Sequence, residues 1–283
     1  MTPDAVPFRD VPVREAATVM LLRDGDDGVE VCMLQRQHSS AFVGGMYVFP
    51  GGAVDPEDHD PRWGGRISGL DPELASARLG VERDGLAYWV AAVRESLEEC
   101  ALFPALRADG TPWRALDEAE AQRFERHRSA LDAEETDLFA ICEEEDLRLD
   151  VGAMHYFARW ITPPGPPRRY DTRFFLAAAP EGQVAVHDGR ETIASRWVRP
   201  GDALAAEAEG TFTMLPPTVA TLRALDMFGS TREALAVAAE ANDRNAMTTH
   251  AIGDENGLRI PLPGEVVSMA FDAGPDVAGE PHT

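Results

Sequence analysis

Three carboxylates and one guanidinium lie within six residues of the stretch Val93-Arg-Glu-Ser-Leu-Glu-Glu-Cys-Ala-Leu102. At about 100° per residue, Glu95, Glu98 and Glu99 fall on one side of a helix, within an arc of roughly 100°. Clustered carboxylates repel one another unless a counter-ion lies between them, and their hard oxygen atoms suit Mg²⁺ or Mn²⁺. The spacing indicates a divalent-metal site, although a solvated acidic helix face has the same composition.

Two elements must position these carboxylates. The first is the helix itself, whose opposite side is apolar and can pack into a core; its apolar residues are Leu86, Val90, Val93 and Leu97. The second is the segment Gly45-Met-Tyr-Val-Phe-Pro-Gly-Gly52, which is typical of a short strand followed by a glycine loop. Two adjacent glycines let the backbone approach a ligand closely, so this loop favours the metal-site interpretation.

Together the two segments resemble the signature of the Nudix hydrolases, G-x5-E-x7-R-E-U-x-E-E-x-G-U, in which U is apolar. Gly52 matches its first glycine, and residues 94 to 102 match its second half. The resemblance implies an α/β fold, a Nudix-type α/β/α sandwich with a mixed sheet, which hydrolyses diphosphates linked to another group. It also implies that Glu95, Glu98 and Glu99 bind the metal, that the carbonyl of Gly51 is a further ligand, and that Arg94 orients the carboxylates.

The match departs from the signature at three points. Between Gly52 and Arg94 the chain has about 28 residues more than the signature allows, so the motif is split by an insertion. Asp58 stands where the signature has its first glutamate, which leaves residues 55, 57 and 58, all acidic, as alternative partners of Arg94. Ala101 replaces the last glycine, a mild change unless the helix end needs a positive φ.

A split motif of this kind resembles the branch of the family that includes the peroxisomal coenzyme A diphosphatases. Residues 159–164, 170–176, 197–200 and 215–218 agree with that branch, so the resemblance covers roughly residues 13 to 228. The coenzyme A motif G-x3-F-P-G-G is present from Gly45 to Gly52, but the arginine that precedes it in the family would fall at Ala41. The resemblance therefore implies coenzyme A or acyl-coenzyme A as substrate. ADP-ribose, NADH, nucleotide sugars, and a catalytically silent nucleotide sensor remain as alternatives.

Further site candidates lie outside the acidic helix. Arg36 ends an apolar strand that points toward the glycine loop, and we predict that it binds substrate. Arg173 alternates with apolar neighbours in a strand, so it faces either solvent or the site, and the resemblance favours the site. The predicted substrate-binding set is Arg36, Phe49, Gly51, Gly52 and Arg173. Glu191 opens another strand and matches the region from which the family takes an extra ligand or general base; a solvated carboxylate is the alternative.

Composition limits the partners. The net charge of −23 excludes a general nucleic-acid binder, because the basic surface that phosphate backbones require is missing. Three widely spaced cysteines suggest neither a disulfide framework nor a zinc ribbon. There is neither a signal-like start nor an apolar run of about 20 residues, so we expect a cytoplasmic protein without a membrane partner. Family members often form dimers, and a homodimer is compatible with this chain.

The length of the chain favours one domain, and the resemblance implies that residues 1–245 form a Nudix domain. A hairpin (13–23 and 29–36) leads into the glycine loop, strands follow at 153–162 and 172–178, and helices at 202–209, 217–228 and 231–242. Residues 55–85 are expected to be a surface insertion and residues 104–150 a helical insertion. Residues 246–283 are expected to form a C-terminal extension whose last residues are disordered.

Overall fold

The computed structural model describes residues 11–38, 44–162 and 166–243, and the backbone of three short strands at 251–252, 258–262 and 265–269. The strands are β1 (Val13–Gly25), β2 (Gly28–Arg36), β3 (Tyr47–Val48), β4 (Gly51–Ala53), β5 (Ala105–Arg107), β6 (Leu147–Leu149), β7 (His155–Ile161), β8 (Arg169–Ala178), β9 (Thr192–Val198), β10 (Ala251–Ile252), β11 (Leu258–Leu262) and β12 (Glu265–Met269). The helices are α1 (Pro72–Leu79), α2 (Leu86–Cys100), α3 (Glu118–Asp132), α4 (Leu138–Glu144), α5 (Pro200–Ala208), α6 (Pro216–Leu225) and α7 (Thr231–Asp243).

An eight-stranded mixed sheet organises the described residues. Its strands follow the order β10-β7-β8-β1-β2-β3, with β4 also beside β1 and β9 also beside β2. The central strand β1 is parallel to β8 and antiparallel to β2 and β4. The predicted α/β fold with a mixed sheet is confirmed. The predicted hairpin is β1 and β2, and the predicted strands at 153–162 and 172–178 are β7 and β8, which pair with each other.

The sheet is covered on both faces. Val19 to Leu22 in β1 are each at most 1% exposed, and successive residues of a strand point to opposite faces. Helix α2 packs against β1, β4 and β8, while α7 packs against β1, β7 and β8. Because α2 lies across β4, the acidic residues of the helix are brought to the strand that contains the two glycines.

Much of the insertion at 55–85 is exposed, as expected of a surface excursion, but buried side chains anchor it to the core. Trp63 is 1% exposed and makes an edge-on contact with Phe139 of α4, with ring centroids 5.1 Å apart. Leu79 and Ala75 of α1 are also buried, and Asp71 caps that helix by accepting a bond from the amide of Leu74 at 2.8 Å. A few apolar side chains in a segment rich in Pro, Gly and Asp are enough to fix it against the core.

The insertion at 104–150 forms the predicted helical pair, α3 and α4. It also contains a small antiparallel sheet of β5 and β6 that the sequence pattern did not indicate. Apolar side chains of both helices join the same continuous core as the central sheet, which is what one domain requires. The boundary at residue 245 stays a prediction.

Some predictions fall outside the residues that the structure describes. These are the position of Ala41, residues 163–165 of the proline loop and the disorder expected at the end of the chain. Within the described residues, no helix is long and apolar enough to cross a membrane.

Candidate metal centre

The two glycines of β4 lie in close contact with different neighbours, Gly52 with helix α2 and Gly51 with strand β1. A Cβ on Gly52 would lie 2.4 Å from Oε1 of Glu95, and a Cβ on Gly51 would lie 2.5 Å from the carbonyl oxygen of Ala17. The amide of Gly51 donates a hydrogen bond of 2.9 Å to Oε2 of Glu99. The glycine loop therefore orients one of the predicted ligands through its backbone amide.

Arg94 lies at the centre of the acidic cluster and is only 7% exposed. Its Nη1 donates to Oε1 of Glu95 at 2.9 Å and to Oε2 of Glu98 at 3.1 Å. Its Nη2 donates to the carbonyl of Ala53 at 2.8 Å and to Oδ2 of Asp58 at 2.9 Å, and its Nε also donates to Asp58. The fixed fork of a guanidinium thus sets the position of two carboxylates relative to the glycine loop.

Asp58 is the main partner of Arg94, which resolves the choice that the sequence left open. It is 3% exposed, lies in a short 3₁₀ helix of the split-motif insertion, and accepts a second bond from the amide of Asp55 at 2.9 Å. The side chain of Asp55 is a secondary partner, with Oδ2 3.2 Å from Arg94 Nη2. Burial raises the pKa of Asp58, while the hydrogen bonds and charge of Arg94 act in the opposite direction.

The three predicted metal ligands are buried enough to resist ionisation. Burial raises the pKa of Glu95 to about 8 and that of Glu98 to about 7, and Arg94 only partly offsets it. Burial, followed by the charge of Glu95, raises the pKa of Glu99 well above its usual value. Removing these groups from water costs free energy in their charged form, and a divalent cation offsets that cost. The all-oxygen donor set therefore fits a hard divalent metal ion.

Arg36 and Glu191 lie together at the edge of this cluster. Arg36 Nη2 donates to Oε2 of Glu191 at 3.2 Å, and its Nη1 is 3.9 Å from Oε1 of Glu99. The side chain of Glu191 is 63% exposed, and that of Arg36 is 20% exposed. Both predicted residues therefore reach the same place as the acidic helix, in positions that a ligand can contact.

Phe49 and Arg173 are buried, and the structure does not bring them into contact with the acidic residues of α2; their role in substrate binding stays a prediction. Phe49 is 3% exposed within the hydrophobic core. Arg173 is 2% exposed; its guanidinium forms an ion pair with Asp171 and lies 5.2 Å from the ring centroid of Tyr88. Both side chains support the sheet and α2.

Helix α2 ends at Ala101 with a positive φ of 58°. The amides of Ala101 and Leu102 bond to the carbonyls of Leu97 and Ser96, a common way for a helix to end. The replacement of glycine is therefore not mild, because a side chain at this φ is strained.

A second group of possible ligands occurs in the helical insertion. Atoms of His127, Glu144 and Glu145 lie within 4.8 Å of one another. Glu145, however, already accepts two hydrogen bonds from Arg123 and one contact from His127 at 2.9 Å. Its charge is satisfied within the protein, and the group is an ion-pair network.

Comparison with known families agrees with this geometry. A family model described as the NUDT19 Nudix domain matches residues 73–225, more than half of the chain. The chain belongs to this Nudix family. The match includes all of α2 and begins after the glycine loop, so the first half of the split motif is supported by the contacts of Gly51 and Gly52. Nudix hydrolases generally use divalent metal ions, which the donor set around Arg94 fits.

Individual relatives lie in the same family. The chain is 27% identical over 236 residues to the human acyl-coenzyme A diphosphatase NUDT19, a match of 72% of this chain and 62% of the human protein. It is 25% identical over 264 residues to the chicken protein of the same name, covering 77% and 69% of the two chains. A Nudix hydrolase structure from Alicyclobacillus acidocaldarius is 29% identical, has a TM-score of 0.63, and covers 80% of this chain and 97% of its own. The fold of this Nudix domain is therefore shared with a solved structure.

Two contributions to the site were not visible in the sequence. The choice of Asp58 over its acidic neighbours depends on which carboxylate the 3₁₀ helix turns inward, which spacing alone does not determine. Arg128 of α3 donates to the backbone of Glu98 at 2.9 Å across 30 residues of sequence, and no motif indicated it.

Proposed function

We propose that this Nudix domain hydrolyses the pyrophosphate bond of coenzyme A or an acyl-coenzyme A, with Mg²⁺ or Mn²⁺ as cofactor. The observation that carries the chemistry is the burial of Glu95, Glu98 and Glu99 beside the glycine loop, with Arg94 shared between Glu95 and Glu98 and the amide of Gly51 bonded to Glu99. The diphosphatase names of the human and chicken relatives support the substrate.

Glu95, Glu98 and Glu99 would hold the metal, and the carbonyl of Gly51 is the proposed additional ligand. When bound, a divalent ion neutralises phosphate charge and lowers the pKa of a water molecule. Arg94 keeps two of the carboxylates in place and offsets part of their mutual repulsion before the cofactor binds. Asp58 in turn holds Arg94 in place.

Arg36 and Glu191 are the proposed contacts for the reacting groups. Arg36 is charged and partly exposed, and it can stabilise the negative charge that develops on the leaving phosphate. Glu191 is the proposed general base, which takes a proton from the attacking water. Their ion pair keeps both side chains beside Glu99. Gly51 and Gly52 bring their backbone beside Glu95 and Glu99, where the diphosphate is proposed to bind.

The proposal of coenzyme A as substrate rests on less than the proposal of diphosphate hydrolysis. The chain spans about 62% of the length of the human relative that it matches, so the substrate of that protein transfers to this chain as a proposal. A small-molecule diphosphate remains the proposed partner, without nucleic acid or membrane, and a homodimer stays a prediction.

The test is a panel of coenzyme A, acetyl-coenzyme A, ADP-ribose, NADH and a nucleotide sugar, incubated with Mg²⁺ or Mn²⁺. We expect coenzyme A or its ester to be split into a phosphopantetheine half and an adenosine bisphosphate half, identified by mass spectrometry. Preferential turnover of ADP-ribose, NADH or the sugar nucleotide would refute the substrate class. Tight binding without turnover of any compound would refute the hydrolase.

A further inference from the structure

The last turn of α2 carries Glu98 and Glu99, and its carbonyls bond outside the helix. The final carbonyls of a helix have no partner within it, so they must find others or face water. Here the carbonyl of Glu98 accepts from Arg128, that of Cys100 accepts from the amide of Val186 at 2.9 Å, and that of Glu99 lies 3.4 Å from the hydroxyl of Thr192. The end of the metal helix is thus fixed by two other segments.

Those segments are the inserted helix α3 and the stretch of residues 183–192, which contains Glu191. Val186 and Thr192 lie on either side of this glutamate, and both approach the last carbonyls of α2. The distance between Glu191 and the acidic helix is therefore set by main-chain contacts as well as by the Arg36 ion pair.

Arg128 joins all three segments. It is 6% exposed and donates from Nε and Nη2 to the carbonyl of Glu98 at 3.1 and 2.9 Å. The same Nη2 donates to the carbonyl of Val186 at 2.8 Å. A cation at the carboxyl end of a helix also interacts favourably with the helix dipole. This buried guanidinium is held chiefly by backbone carbonyls, whereas Arg123 in the same helix pairs with the carboxylate of Glu145.

Two further contacts attach the 183–192 stretch to the insertion. Arg190 forms an ion pair with Asp132 at the end of α3. The side chain of Gln183 accepts from the amide of Phe103 at 2.7 Å and donates to the carbonyl of Trp113 at 2.8 Å. The insertion therefore serves as the support on which this stretch lies.

We propose that Arg128 is a positioning residue for the metal site, which holds Glu98 and the stretch with Glu191 in a fixed relation. The proposal rests on the proposed function, because Glu98 must be a metal ligand. Groups that orient metal ligands from behind typically contribute 10–100-fold to metal affinity or activity. Arg128 acts on the main chain of Glu98, and the position of the main chain determines where the carboxylate of Glu98 can lie.

The experiment is Mn²⁺ titration by isothermal titration calorimetry, below the melting temperature of every variant. We expect Arg128→Met to weaken Mn²⁺ binding by about 10–100-fold. Arg123→Met is the matched control, because it removes an arginine from the same helix that contacts neither Glu98 nor Val186, and it should stay within about twofold of the wild type. Arg128→Lys should be intermediate, since an ammonium is a strong donor but lacks the planar fork that reaches both carbonyls.

Equal Mn²⁺ affinity in Arg128→Met and Arg123→Met would overturn the positioning role. Should Arg128→Met not fold, Arg128→Lys takes its place, and an affinity equal to that of Arg123→Met has the same meaning. Failure of the proposed function gives a different result: the wild type would not bind Mn²⁺, or Glu98→Gln would bind it as tightly as the wild type.

Discussion

Two clusters of charged residues contact α2, and they differ in the ratio of carboxylates to cations. In the first, the acidic cluster, Arg94 alone contacts Asp58, Glu95 and Glu98, and Glu99 adds a further carboxylate 3.9 Å from an arginine outside the cluster. Carboxyl groups outnumber cations there, so negative charge is in excess once they ionise. Burial in excess of one sign is unfavourable without a counter-ion, so the protein maintains a site that a cation completes.

In the second, the arginine cluster, two cations share one carboxylate. Asp171 lies between Arg159 and Arg173, and the guanidinium of Arg173 lies 5.2 Å from the ring centroid of Tyr88. Each arginine thus has an acceptor within the protein, and the carboxylate is paired with more than one cation. The difference teaches that carboxylates in excess of cations, and not burial of charge, mark the functional site in this molecule.

Removal of one carboxylate from the acidic cluster should have the largest effect. Glu98→Gln keeps the shape of the side chain but removes a charge that would hold the metal, so we expect turnover of the best substrate to fall about 10³-fold. Steady-state kinetics with saturating Mg²⁺ measures it. Turnover within threefold of the wild type would show that this glutamate is not a ligand.

A substitution in the arginine cluster should lower the stability of the protein and leave turnover nearly unchanged. Arg173→Met leaves Asp171 with only one arginine, and we expect a loss of about 3 kcal/mol in the free energy of unfolding. Urea denaturation measures that loss. Turnover per folded molecule should stay within about twofold of the wild type; a large fall would support Arg173 as a substrate-binding residue.

Asp58 tests whether the split-motif insertion serves the acidic cluster. Asp58→Asn weakens the hold on Arg94, so we expect a loss of about 10–100-fold in turnover or in Mn²⁺ affinity. Asp60→Asn is the control, because Asp60 lies in the same insertion but pairs with Arg62 on the surface. Equal effects of the two variants would contradict the role of Asp58.

The pH dependence of stability should reveal the excess charge directly. Folded-state pKa values of about 8 for Glu95 and about 7 for Glu98 exceed their unfolded values, so the metal-free folded state binds more protons. Their contribution to stability is complete below about pH 4.5 and is lost as pH rises through 7 to 8. We expect Mn²⁺ to raise the melting temperature more at pH 8 than at pH 5.5, because ligands must lose protons to bind metal. An equal increase at both pH values, measured by calorimetry, would contradict these shifts.

The smallest effect concerns the end of α2. Ala101→Gly removes the strain of a side chain at positive φ, and we expect a gain of about 1 kcal/mol in the free energy of unfolding with unchanged turnover. Chemical denaturation measures the gain. Lower stability would mean that the methyl group of Ala101 contributes more by packing than it costs by strain.

Most strands and helices could be predicted from the periodicity of apolar residues, whereas the placement of single side chains depended on tertiary contacts. The hairpin, the paired strands and the helices of the insertion have clear periodicity, so the sequence predicted them. The anchoring of the insertion at 55–85 to the core was not predicted, because three or four buried apolar side chains give little periodic signal. The ion pair of Arg173 was not predicted, although Asp171, two residues earlier on the same face of its strand, was a visible partner.

The residues of the candidate site also fall into those that the sequence predicted and those that only tertiary packing identified. Glu95, Glu98, Glu99 and the glycine loop follow from helical spacing and the family resemblance. Asp58 and Arg128 reach the site from segments inserted into the signature, so only tertiary packing identifies them. Phe49 lies within the glycine motif, but a motif does not state which side chains face the core.

The location of bound metal tests most directly whether the acidic cluster is a metal site. Crystals soaked in Mn²⁺ would give an anomalous difference peak, and we predict it within about 2.0–2.6 Å of carboxylate oxygens of Glu95, Glu98 and Glu99. The His127, Glu144 and Glu145 group is the internal comparison, since its charge is already satisfied. A peak at that group alone, or none beside α2, would contradict the central claim that the excess charge of the acidic cluster is a metal site.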